Sequence, residues 1–155
     1  MDISELKRRY SVLEKKHRLP SFKEINENFE IEKIDKEHEC LLRAVRKAIM
    51  DKIVNSVAFF DMLVNPSATP RIYMSYVRSM SSEDRKIIEE IYDKLSEISF
   101  ISLELEINYS EKGEADLIKF ANSTWEWVRP KFSKIIKNIK NPSSVNFKKE
   151  KNYFG

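Results

Sequence analysis

The chain has 155 residues, enough for one domain with its own core, with 41% apolar and 34% charged residues and a net charge of +3. It contains no apolar run of 18 residues, which excludes a membrane-spanning helix. Only two glycines occur, Gly113 and Gly155, and sheet proteins need glycine for tight turns, so the composition points to helices joined by short loops.

Cys40 is the single cysteine and cannot form an internal disulfide. Met1-Asp2-Ile3-Ser4 leads into no apolar segment of the kind a signal peptide needs. Together these give the expectation of a reducing cytoplasm. Glutamine is absent while Lys, Glu and Ile are abundant. That balance suits a thermophile, and with the frequent Asn it suits an AT-rich genome equally.

Residues 2–18 read as a first helix, with Leu6, Tyr10, Leu13 and His17 on one stripe. After Leu19-Pro20, Ser21 and Glu24 have capping-box spacing and start a short helix with Phe22, Ile25 and Phe29 inward. Residues 30–35 link to the longest apolar pattern, a helix over 36–64. Its stripe is Leu42, Val45, Ile49, Ile53, Val57, Phe60 and Val64, spaced three or four apart. Leu41, Ala48, Val54 and Leu63 widen that face, and Arg43, Arg46, Lys47 and Asp51 fall on the opposite one. Asn65-Pro66 ends it.

Thr69 reads as an N-cap with Pro70 at the first position of a short helix over 70–80. Ser81-Ser82-Glu83-Asp84 starts the next, 82–108, with acids in the first turn. Its stripe is Ile88, Ile91, Leu95, Ile98, Ile101 and Leu105. A conflict sits at its end, where Ile101, Leu103, Leu105, Ile107 and Tyr109 alternate with polar residues as a strand would. No convincing partner strand exists, and an unpaired strand leaves backbone groups unsatisfied, so the reading is helix. A loop over 108–113 ends in Gly113. The last helix, 114–140, keeps Ile118, Ala121, Trp125, Val128, Phe132, Ile135 and Ile139 on one stripe through Pro130, which predicts one kinked helix rather than two.

Catalytic and metal chemistry find little support. Glu14-Lys15-Lys16-His17 and Asp35-Lys36-Glu37-His38 have the four-residue spacing of a di-iron bundle, but His17 and His38 are the only histidines. Cys40 and His38 lie two positions apart, about 200° around a helix, so they do not form a nucleophile–base pair. No glycine-rich phosphate loop is present. The expectation is a non-enzyme with no cofactor and no metal.

Charge is more informative. From Arg129 to Lys151 one Arg and seven Lys face a single Glu, giving +7, so the rest of the chain sums to −4. Lys131, Lys134, Lys137 and Lys140 are expected to line the side of the last helix away from Phe132, Ile135, Ile136 and Ile139. A tail with Phe147, Lys148, Lys149, Lys151, Tyr153 and Phe154 follows. A basic helix and basic aromatic tail suit an anionic partner, whether nucleic acid (RNA or DNA), a membrane surface or an acidic protein, although a solvated lysine face looks the same. Lys outnumbers Arg there, which disfavours forked phosphate contacts. Trp125 lies on the core stripe, whereas Trp127 falls off it beside Arg129, where it is either covered by a neighbour or an interface anchor.

The segments Leu19-Pro20-Ser21-Phe22-Lys23-Glu24-Ile25-Asn26, Phe29-Glu30-Ile31, Leu41-Leu42-Arg43 and Ser82-Glu83-Asp84-Arg85-Lys86 resemble a group of small archaeal proteins. That group looks all-α and has no known activity, so the resemblance implies a fold and transfers no site.

The sequence therefore predicts a single all-α domain over 1–140, an antiparallel bundle of three long helices, an N-terminal helix and short end helices, followed by a 141–155 tail. The expected role is a protein–protein interaction module, with a homodimer through a helix face as one form of partner. Polyanion binding by the C-terminal lysines is the alternative, and a metalloprotein using His17 and His38 the third reading.

Overall fold

A computed structural model of the chain describes residues 2–34 and 38–141. Among these there are six α-helices, one short 3-10 helix and no strand. They are α1 (Ile3–His17), α2 (Phe22–Phe29), the 3-10 turn Ile31–Lys33, α3 (Leu41–Val64), α4 (Arg71–Ser79), α5 (Ser82–Ile107) and α6 (Glu111–Lys140). No helix among the described residues is long and apolar enough to cross a membrane.

The all-α bundle is as the stripes predict. α3 is central and packs along both α5 and α6. The start of α3 meets the end of α5 and the start of α6, through Arg46 with Ser102 and Glu114. The end of α3 meets the far part of α6, through Phe60 with Phe132. α3 and α6 therefore run parallel, with α5 antiparallel to both. Val45, Ile49, Ile53 and Phe60 of α3 are fully buried against Ile91, Leu95 and Ile98 of α5 and Ile118, Ala121 and Val128 of α6. Each large apolar side chain so buried contributes about 1.5–3 kcal/mol. α1 and α2 close one end with Leu6, Tyr10, Ile25 and Phe29. A polar seam pins α2 to α6, in which Asn28 donates to Asn122 at 2.9 Å and Asn122 donates to Glu24 at 2.7 Å.

Several local expectations change. α3 begins at Leu41, with His38–Cys40 outside any helix and Cys40 as its N-cap. α4 is capped at Pro70, because the Thr69 hydroxyl turns back to donate to Met62 O at 2.6 Å instead of capping. The 108–113 loop is shorter than expected. α6 starts at Glu111, where Ser110 Oγ accepts from Gly113 N at 3.1 Å. Gly113 thus sits inside the helix, where a Cβ would lie 2.7 Å from Leu105 Cδ2 and the Leu105 side chain would have to move. Replacing Ser110 by Ala should cost about 1 kcal/mol, read as a lower urea midpoint, since among the described residues no other side chain caps that end. α6 continues as a single helix through Pro130.

The alternating segment 101–107 is helix, and the helix sorts its residues. Alternate positions on a helix lie about 200° apart, so they cannot share a face. Ile98 and Leu105 go to the core and Ile101 is half-buried. Phe100, Leu103 and Ile107 point away from it and are 67%, 60% and 81% exposed. Val54, read as part of the α3 apolar face, is also exposed.

Candidate functional site

Among the described residues, three arrangements could do chemistry or recognition. The first is buried. Arg46, which the sequence places on the solvent face of α3, is only 2% exposed. α3 lies in the cleft between α5 and α6, so its buried arc is wider than one stripe and takes in position 46. The guanidinium donates to Glu114 Oε2 at 2.7 Å, Glu106 Oε1 at 2.7 Å and Ser102 Oγ at 2.8 Å. Burial alone would lower its pKa, but the hydrogen bonds from Arg46 to Glu114 and Glu106 outweigh that and raise it. The wholly buried Glu114 turns its other oxygen toward Arg43 Nε at 4.0 Å, and the Arg43 guanidinium lies over the Tyr109 ring. A buried arginine held by two carboxylates and a hydroxyl is a structural clamp.

Glu106 is held below the usual carboxylate range by Arg46, and Glu111 likewise by Lys16 and His17. A carboxylate with a lowered folded pKa stabilises the fold above its unfolded value, about 4.3, and that contribution is lost as pH falls through the lower folded value. The urea midpoint should therefore fall on acidification below about pH 5, with a shallower acid slope in Glu106→Gln.

The histidines do not converge. His17 Nε2 lies 2.9 Å from Glu111 Oε1, and the carbonyl of the exposed His38 accepts from Arg9. Asp35 and Glu37 lie outside the described residues. Among the described residues no group of three or more His, Cys, Asp or Glu side chains could hold a metal ion. Cys40 is half-buried, with Sγ 3.3 Å from the Tyr109 hydroxyl. That hydrogen bond and burial push the Tyr109 pKa up to about 12. A hollow of about 330 Å³ opens beside the pair, bounded by Arg8 and Arg9 of α1.

The second arrangement is the C-terminal half of α6. Of the residues singled out there, Trp127 is half-buried beneath two lysines, with Lys131 Nζ 4.0 Å and Lys94 Nζ 5.4 Å from its ring centre. Lys131 also donates to Trp127 O, so both side chains are committed within the fold. Lys134, Lys137 and Lys140 are exposed and make no ion pair among the described residues. Lys137 and Lys140 do not stand opposite the apolar residues. With Arg129 they rim a groove of about 400 Å³ floored by Trp125, Phe132 and Ile136. Arg129 also donates to Asn28 at 3.3 Å. Lys148, Lys149, Lys151, Tyr153 and Phe154 lie outside the described residues.

The third is the outer face of α5, which sequence reasoning missed. Phe100, Leu103 and Ile107 follow the spacing i, i+3, i+7 and form one unpartnered stripe about 10 Å long, at 1.5 Å per residue. Glu97 and Glu104 flank it and make no ion pair among the described residues. Single exposed apolar residues are ordinary, whereas a contiguous set rimmed by charge marks an interaction surface. The alternating pattern at 101–107 was its signal, since on a helix that pattern must turn half its members outward.

The chain matches no protein-family model, no curated protein and no solved structure.

Proposed function

We propose that this is a non-enzymatic interaction module whose docking face is the outer side of α5. The observation that carries the reading is the exposed stripe Phe100–Leu103–Ile107. It makes no contribution to the core, and a helix that needed only to fold would place polar residues there. A helical face of this form suits docking against a partner's apolar groove or helix. No described cluster offers a nucleophile with a base or a metal cage, and the most buried charges serve packing.

The test is recovery of the untagged protein from its own cells in low salt, with and without nuclease. A protein partner should stay bound after nuclease treatment. Recovery of nucleic acid alone, released by salt, would reverse the reading in favour of polyanion binding.

That second reading has its own observation. Arg129, Lys131, Lys134, Lys137 and Lys140 are followed by no acid within α6, and three of these lysines are exposed. Phosphate binding through them predicts affinity that falls steeply with salt, by counterion release. Changing Lys134, Lys137 and Lys140 to Glu should then abolish nucleic-acid retention, whereas the α5 reading leaves partner capture insensitive to Lys134.

A further inference from the structure

The two exposed apolar surfaces carry opposite charge. From Leu95 to Glu111 the chain has four glutamates and no lysine or arginine. From Trp125 to Asn141 it has five cations and one acid, Glu126. The first segment carries the α5 stripe, and the second carries the α6 groove floored by Trp125, Phe132 and Ile136 and rimmed by Arg129, Lys137 and Lys140. We infer that the α5 stripe of one copy seats in the α6 groove of a second copy, head to tail. The inference rests on the reading of α5 as a docking face and names its partner.

Geometry requires the contact to be between copies. Leu105 packs beside Gly113 at the start of α6, and Phe132 lies nineteen residues further on, about 28 Å at 1.5 Å per residue. One chain cannot bring its own stripe to its own groove. Charge disfavours the symmetric alternative, because α5 packed on α5 sets Glu97 and Glu104 against like charges. Seating α5 on α6 places Glu97 and Glu104 toward Lys137 and Lys140 while Phe100, Leu103 and Ile107 leave water together. Such a contact is heterologous, so it builds short chains or a ring and leaves an end free wherever it does not close.

Sedimentation velocity on the full chain tests this with two variants. Phe100→Glu removes the stripe and keeps the groove. Lys137→Glu with Lys140→Glu inverts the groove rim at exposed positions that make no ion pair among the described residues, so it keeps the stripe and costs the fold only the favourable charge of the last turn of α6. The wild type should gain mass with concentration and lose it as salt rises. Each variant alone should stay at the monomer mass. An equimolar mixture should return to twice that mass, because one copy still supplies a stripe and the other a groove. A wild type that stays monomeric at every concentration overturns the inference, as does a mixture that stays monomeric. A Lys137→Glu/Lys140→Glu protein that associates like the wild type also overturns it, in favour of a symmetric α5 pair. A monomeric wild type that still captures a nuclease-resistant protein through Leu103 would remove self-association alone and keep α5 as the docking face.

Discussion

Replacing Arg46 by Met should lower stability by about 3–5 kcal/mol, among the largest effects of any single change in this chain. Glu114 has no exposure at all, and Arg46 Nε at 2.7 Å is its one close partner. Without the guanidinium the buried carboxylate loses its hydrogen-bonded counter-ion and keeps Arg43 Nε, 4.0 Å from its other oxygen and not hydrogen-bonded to it. Glu106 is nearly half exposed and would rehydrate, so the loss falls on Glu114. The double variant Arg46→Met/Glu114→Leu should recover most of it, because an apolar pair of similar volume avoids the desolvation of both charges. Urea unfolding of the two single variants and the double gives the cycle directly. A single-variant loss below about 1 kcal/mol would mean that the ion pair is open to water.

The second large effect is on binding. Leu103→Glu should leave unfolding free energy within about 0.5 kcal/mol of wild type, since the side chain is mostly exposed and Leu and Glu have similar helix propensity. It should weaken partner capture at least tenfold, about 1.4 kcal/mol, and more if Leu103 lies at the centre of the contact. Leu105, two residues on, gives the opposite result. It is buried against Gly113, and Leu105→Ala should cost about 2–5 kcal/mol of stability without touching the docking face. Equal stability losses at 103 and 105 would show that the stripe belongs to the fold's own packing.

The bundle was legible because burial here follows helical periodicity. Ile49, Ile53, Ile91, Leu95, Ile98, Ile118 and Val128 recur at the core spacing, and all are buried. Caps were legible where one serine does the whole job, as at Ser21 and Ser81, whose side chains accept from Glu24 N and Asp84 N. Ser110 was missed because Gly113 reads as a loop end, whereas here it is the residue that lets α6 approach Leu105. Arg46 was misplaced because a polar residue beside an apolar stripe reads as solvent-facing. Its burial depends on Ser102, Glu106 and Glu114, which stand 56 to 68 residues away in sequence. The α5 stripe was present as an alternating pattern that fits neither element cleanly. Its meaning appears only once α3 and α6 have taken the opposite face of the helix.

The most direct measurement is site-specific photo-crosslinking in the protein's own cells, with the reactive side chain at Leu103, at the exposed Val54 of α3 and at Lys134 of α6. Position 103 should label a protein, insensitive to nuclease, well above the background set by position 54. Labelling at 103 no stronger than at 54, with nucleic acid crosslinked at 134, would contradict a docking face on α5 and assign recognition to the basic helix.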